Sequence, residues 1–117
     1  MPAPLGFPKS ARLLVRADFL AVQRKGKSFA DGPLAASYVA REGTPRVGLT
    51  VSSKVGGAVV RNQVKRRLRE AVRNELSGLP AVDMVIVARA SAVQGTVADF
   101  RAWLKRAAFR MQKGAGR

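Results

Sequence analysis

Residues 60–70 read VRNQVKRRLRE, with five Lys or Arg among eleven positions. Wound as a helix, the stretch divides into two faces. Val60, Val64, Leu68, Ala71 and Val72 recur at three- and four-residue steps and form an apolar stripe that has to be buried. Arg61, Lys65 and Arg69 stack at four-residue steps away from it, with Asn62, Arg66 and Arg73 on the adjacent row. One side of this helix belongs in a core and the other presents a dense cationic rail. The charge also stands at the unfavourable end. A helix N-terminus carries partial positive charge and is stabilised by Asp or Glu in its first turn. Arg61, Lys65 and Arg66 there cost stability until an anion arrives, and the free N–H groups of a helix start favour phosphate. A merely solvated basic face is the plainer alternative.

Outward from this helix, the whole chain has the same bias. In 117 residues, 22 Lys and Arg stand against 7 Asp and Glu, a formal charge of +15. That excess works against compactness by self-repulsion and implies a polyanionic partner. Nucleic acid comes first and an anionic membrane surface second, and no apolar run approaches the ~20 residues that span a bilayer. The opening MPAPLGFP lacks a charged region followed by a long apolar stretch, so no signal peptide is expected. Cysteine is absent, which removes disulfides and thiolate metal sites and is compatible with a reducing cytoplasm. A hydrophobic content of 47% with only 6% aromatics predicts an aliphatic core in one domain spanning 1–117.

The pattern along the chain is that of an α+β domain. Residues 1–10 hold three prolines and are expected to be an irregular arm anchored by Phe7. A helix is predicted from Arg16 to Lys25, closed by Gly26. Leu34 to Ala40 reads as a strand. Arg46 to Ser52 is another, with Val47, Leu49 and Val51 on one face and Gly48, Thr50 and Ser52 on the other. Lys54 to Gly57 connects it to the basic helix, which runs to about Leu76. Asp83 to Arg89 reads as a buried central strand. Thr96 with Asp99 resembles a capping box, opening a last helix to about Gln112 with Val97, Phe100, Leu104, Ala107, Ala108 and Met111 inward. Residues 113–117 are expected to fray.

Catalytic groups are scarce. Histidine is absent, so no ordinary imidazole base is present near neutral pH. Asp18, Asp31, Glu42, Glu70, Glu75, Asp83 and Asp99 are spread along the chain, without the clustering a two-metal nuclease needs. Glu70 and Glu75 are expected to pair with Arg66 and other cations of their own helix. Gly56-Gly57 before a helix lacks the rest of a phosphate-loop motif and reads as a hinge. Trp103 belongs to the core by its spacing. Phe19 fits a core or a platform for an unpaired base. The residues read as a small basic RNA- or DNA-binding module.

The run R46-V-G-L-T-V-S-S-K54 followed by A58-V-V-R-N-Q-V-K-R-R-L-R-E70 resembles the protein subunit of bacterial ribonuclease P. F7-P-K-S-A-R-L-L14, D18-F19, R24-K-G-K27 and D83-M-V-I-V-A-R89 fit in the same order over nearly the whole chain. The resemblance implies a two-layer α/β sandwich, a small mixed sheet with about three helices, in which a βαβ unit crosses over left-handed against the right-handed default. It implies a ribonucleoprotein endonuclease that removes the 5′ leader of precursor tRNA in the cytoplasm. Its RNA subunit carries the active site and the Mg²⁺ ions, and the protein has no catalytic residue, metal or small-molecule cofactor of its own. The expected partners are that RNA subunit and precursor tRNA, with no membrane. A ribosomal-protein-like structural RNA binder is the alternative.

Carried over by residue, the resemblance assigns RNA binding to Arg12, Lys54, Arg61, Asn62, Lys65, Arg66, Arg69 and Arg89. It assigns the leader cleft to Phe19, Tyr38, Thr50 and Ser52. Tyr38 matches the family's strand tyrosine, whereas counting from Gly26 puts Ser37 at that place, and neighbours on a strand point to opposite faces. Gln63 stands where the family usually has a second Arg, and Gln23 where a second cleft aromatic is common.

Overall fold

A computed structural model describes residues 9–13 and 15–115. In chain order these form α1 (Arg16–Lys25), β1 (Lys27–Asp31), β2 (Leu34–Ala40), β3 (Arg46–Val51), α2 (Ala58–Glu75), β4 (Val82–Ala88) and α3 (Val97–Ala115), with short 3₁₀ turns at Lys9–Ala11, Leu76–Gly78 and Ala90–Gln94. The four strands make one mixed sheet in the order β1-β2-β4-β3. β1 and β2 are an antiparallel hairpin and β2 runs antiparallel to β4. β3 lies parallel to β4, with Val47 opposite Met84 and Val51 opposite Ala88. A parallel pair needs a long crossover, and α2 supplies it.

Strand alternation sorts the side chains into two cores. Leu34, Ala36, Tyr38, Val47, Val51, Val82, Met84, Ile86 and Ala88 face α2 and α3. There they meet Val64, Leu68, Ala71 and Val72 of α2 and Phe100, Trp103, Leu104, Ala107, Ala108 and Met111 of α3. The stripe expected in α2 is therefore buried as its spacing requires, as is that of α3. A smaller cluster on the opposite face joins Leu13 and Val22 to Val85, with Phe19, Val39 and Val87 packed against it. This is where α1 crosses the sheet. Leu13 is held by its N–H, which donates to the Val47 carbonyl at 3.1 Å, and Arg12 makes a parallel bridge to Val47. The segment thus covers the outer edge of β3.

Five expectations change, the first being that β3 ends at Val51 and leaves Ser52 outside the sheet. β1 was not expected, because Lys27-Ser28-Phe29-Ala30-Asp31 lacks both alternation and aliphatic content; the Gly32–Pro33 turn, with Gly32 at φ +61°, folds it onto β2. Gly26 ends α1 without entering the left-handed region, at φ −84°. A Cβ there would stand 2.4 Å from the Tyr38 carbonyl oxygen and 2.6 Å from that of Val22, so close packing demands the glycine. α3 continues through Ala115, past Gln112, and Lys113 in its last turn suits the negative end of the helix dipole. β4 starts one residue earlier than expected, at Val82, and ends at Ala88. The Phe7 anchor and most of the N-terminal arm lie outside the described residues.

Candidate nucleic-acid interface

α2 follows Gly57, which is in extended backbone, with no side-chain cap and no acid in the first turn. Of the three cations expected at its start, Arg61 alone stands there, and Lys65 and Arg66 lie deeper, past the reach of the helix end. Its buried stripe fixes its rotation and turns the rail outward. Asn62, Gln63, Arg66 and Arg69 are exposed, while Arg61 and Lys65 flank them half-buried. Val59, Asn62, Gln63, Lys65, Arg66 and Arg69 line an open concavity of about 450 Å³. The Nε of Arg61 is buried without a hydrogen-bond partner, a costly state for a charged donor.

Pairing elsewhere explains why this rail stays cationic. Arg46 grips Asp83 with two hydrogen bonds, Nε to Oδ1 at 2.7 Å and Nη2 to Oδ2 at 2.8 Å, which raises the Arg46 pKa. Arg41 approaches the same carboxylate at 3.7 Å. Arg101 of α3 takes Glu75 at 2.7 Å, and Arg106 takes Asp31 at 3.0 Å. Asp99 caps α3. Glu70 pairs with Arg73 and accepts from the Asn74 amide, and the bond from Arg73 draws its pKa down. Glu70 and Glu75 thus do not pair with Arg66: Glu70 reaches one turn forward and Glu75 reaches the neighbouring helix. Among the described residues Lys65, Arg66 and Arg69 have no carboxylate partner. Arg67 differs from its neighbours, because its Nη1 donates to the Val93 carbonyl at 3.1 Å and ties α2 to the turn before α3.

The bridge to β3 carries Arg12 to the flank of α2. Arg12, Arg66, Arg69, Glu70 and Arg73 surround a second concavity of about 460 Å³. Three of the expected RNA-binding residues therefore converge, Arg12 from a distant part of the chain onto Arg66 and Arg69 of α2. Arg73 was not singled out as a site residue, although it shares a row with Asn62 and Arg66; its Nε is buried without a partner.

Lys54 and Arg89 lie apart from this cluster. Ala88 pairs with both Leu34 and Val51, so Ser52 and Arg89 leave the sheet at one end. Lys54 is exposed there, with its N–H toward the Ser52 hydroxyl at 3.3 Å. The Arg89 guanidinium donates to the Gly32 carbonyl at 3.2 Å.

The sheet face under α1 is partly open. Phe19 lies flat against Gly48, where a Cβ would meet its Cζ at 2.5 Å; the ring is half-buried. Thr50 continues this face, and Ser52 follows it into solvent. Tyr38 does not join them. It is 8% exposed on the α2–α3 face, with its ring edge-on to Phe29 at 6.0 Å. Strand alternation puts Ser37 on the cleft side instead, where its hydroxyl meets that of Ser28 at 2.9 Å. Among the described residues no group of three or more His, Cys, Asp or Glu comes together to hold a metal, and no helix is long and apolar enough to cross a membrane.

A single mixed sheet flanked by helices, one of them with an unneutralised cationic face, defines a basic α+β domain shaped to meet a polyanion. The family model described as Ribonuclease P matches residues 7–112, and the chain belongs to that family. It is similar to the ribonuclease P protein component of Geobacter sp. (strain M21), with 44% identity over 96 residues covering 81% of this chain and 80% of that one. The corresponding protein of Xanthomonas campestris pv. campestris (strain B100) is 41% identical over 96 residues. The chain spans 65% of that relative's length. The solved RNase P protein of Staphylococcus aureus superposes with a TM-score of 0.75 at 31% identity, covering 90% of this chain and 97% of that one.

Proposed function

We propose that this protein is the protein component of a ribonuclease P ribonucleoprotein, which removes the 5′ leader from precursor tRNA in the cytoplasm. In this reading α2 and Arg12 bind phosphates of the RNA subunit. Arg61, Asn62, Lys65, Arg66 and Arg69 supply the rail. The unpaired leader lies in the open cleft bounded by Phe19, Thr50 and Ser52, with Lys54 and Arg89 near its phosphates. The RNA subunit would carry the reacting groups and the Mg²⁺ ions; the protein's residues bind and orient RNA.

The observation that carries the reading is the unneutralised row Lys65, Arg66 and Arg69. At least five of the seven carboxylates have hydrogen-bonded partners elsewhere, so the row is left for an external anion. The deciding experiment is precursor-tRNA cleavage by the cognate RNA subunit at low Mg²⁺, with and without the protein. The protein is expected to restore cleavage at the mature 5′ end and to be inactive alone. RNA binding with no effect on cleavage would favour a structural RNA binder. Cleavage by protein freed of RNA would contradict the division of labour.

A further inference from the structure

α3 carries a second cationic face that this reading leaves unused. Three of its cations are engaged by partners within the fold: Arg101 by Glu75, Arg106 by Asp31 and Arg110 by the Phe29 ring at 4.8 Å. Lys105, Phe109 and Lys113 do not. They follow one another at four-residue steps and so share one stripe, about 12 Å long. Phe109 is 66% exposed and is the one exposed aromatic ring among the described residues. Lys113 Nζ stands 5.5 Å from its centroid. Neither lysine has a carboxylate partner among the described residues. Beside the ring lies a shallow recess of about 220 Å³ whose lining includes Gly78, Leu104, Gln112 and Glu75, the last already held by Arg101.

We infer that this stripe is a second RNA contact, at which one unpaired nucleotide stacks on Phe109 while Lys105 and Lys113 hold the flanking phosphates. An exposed ring between two cations is the arrangement that binds single strands without sequence readout. The Gln112 amide, at the recess, offers a donor and an acceptor to a base edge. A second copy of this chain is a poor occupant, since two bodies of charge +15 repel. Phe109 adds nothing to the core, so its truncation leaves the fold intact.

The inference rests on the proposed partnership with the RNA subunit, and its test separates the two. Affinity for the RNA subunit, alone and with precursor tRNA, is measured for Phe109→Ala, Phe109→Trp and the pair Lys105→Ala/Lys113→Ala, with thermal melting alongside. A photoreactive benzoyl-phenylalanine at position 109 is irradiated in the complex. Phe109→Ala should weaken one of these two affinities roughly tenfold at unchanged melting temperature, Phe109→Trp should retain it, and the crosslink should map to an unpaired nucleotide. Unchanged affinity for all three variants, or a crosslink only to protein or to an added anionic vesicle, would overturn the inference. Lys65→Ala/Arg66→Ala/Arg69→Ala serves as reference. If that variant alone loses affinity, only the α3 contact fails; if no variant loses it, the RNA-subunit reading fails as well.

Discussion

α2 and α3 lie side by side on the same face of the sheet, are nearly equal in length, and begin in opposite ways. α3 opens with a reciprocal cap. The Thr96 N–H donates to Asp99 Oδ2 at 2.9 Å, and the Asp99 N–H donates to Thr96 Oγ1 at 3.0 Å. An acid in its first turn also complements the helix dipole. α2 opens on Gly57 with neither cap nor acid, and its first cation, Arg61, follows within the first turn. Both helices bury an aliphatic stripe, so the difference is not in packing. The N-terminus of α3 is capped and complemented within the fold, whereas that of α2 has neither cap nor acid, and in the proposed reading an RNA phosphate takes that place.

The comparison can be broken first at the cores. Leu68→Ala in α2 and Leu104→Ala in α3 each empty a fully buried site and should each cost about 2–5 kcal/mol by denaturant unfolding. A small loss in α2 alone would mean that its stripe is not the anchor that orients the rail. Removal of the α3 cap is a smaller perturbation: Thr96→Ala should cost about 1 kcal/mol. Hydrogen bonds from Thr96 hold the Asp99 carboxyl below the usual aspartate range. A depressed folded-state pKa gives stability that is present above the unfolded value and is lost as pH falls through the folded one. Asp99→Asn should therefore flatten the acid limb of the stability–pH curve, and an unchanged limb would show the cap to be idle. The smallest effect sharpens the contrast. A Cβ at Gly57 meets nothing within 4 Å, so Gly57→Asp should stabilise the free protein by about 0.5 kcal/mol while weakening RNA binding. A loss of stability would contradict the account of the α2 start.

Periodic segments were legible because their burial follows from spacing. The stripe of α2, the limits of α1 and β2, the alternation of β3 and the Thr96–Asp99 cap all stand in the structure as the residue pattern requires. What escaped was set by contacts outside each segment's own residue pattern. β1 is a strand because a turn lays it on β2, not because Lys27–Asp31 has strand character. Nothing local places Arg12 beside Arg66, since the bridge to Val47 does so. The partners of Glu75 and Asp83 come from α3 and β3. Tyr38 shows how little separates a cleft residue from a core residue: one step along β2 exchanges it for Ser37. The rail was visible from its charge, but its lack of neutralisation was not, because that depends on where each carboxylate goes.

The central proposal is that Lys65, Arg66 and Arg69, which have no carboxylate partner among the described residues, bind RNA phosphates, and salt dependence tests it most directly. Affinity for the RNA subunit is measured across a range of monovalent salt for the wild type and for Lys65→Ala/Arg66→Ala/Arg69→Ala, each checked for an unchanged fold. Each phosphate contact adds close to one unit to the slope of log affinity against log salt. The account predicts a steep slope for the wild type, reduced by about three in the variant, with the free variant at least as stable. Equal slopes for the two proteins would place the RNA elsewhere and contradict the claim.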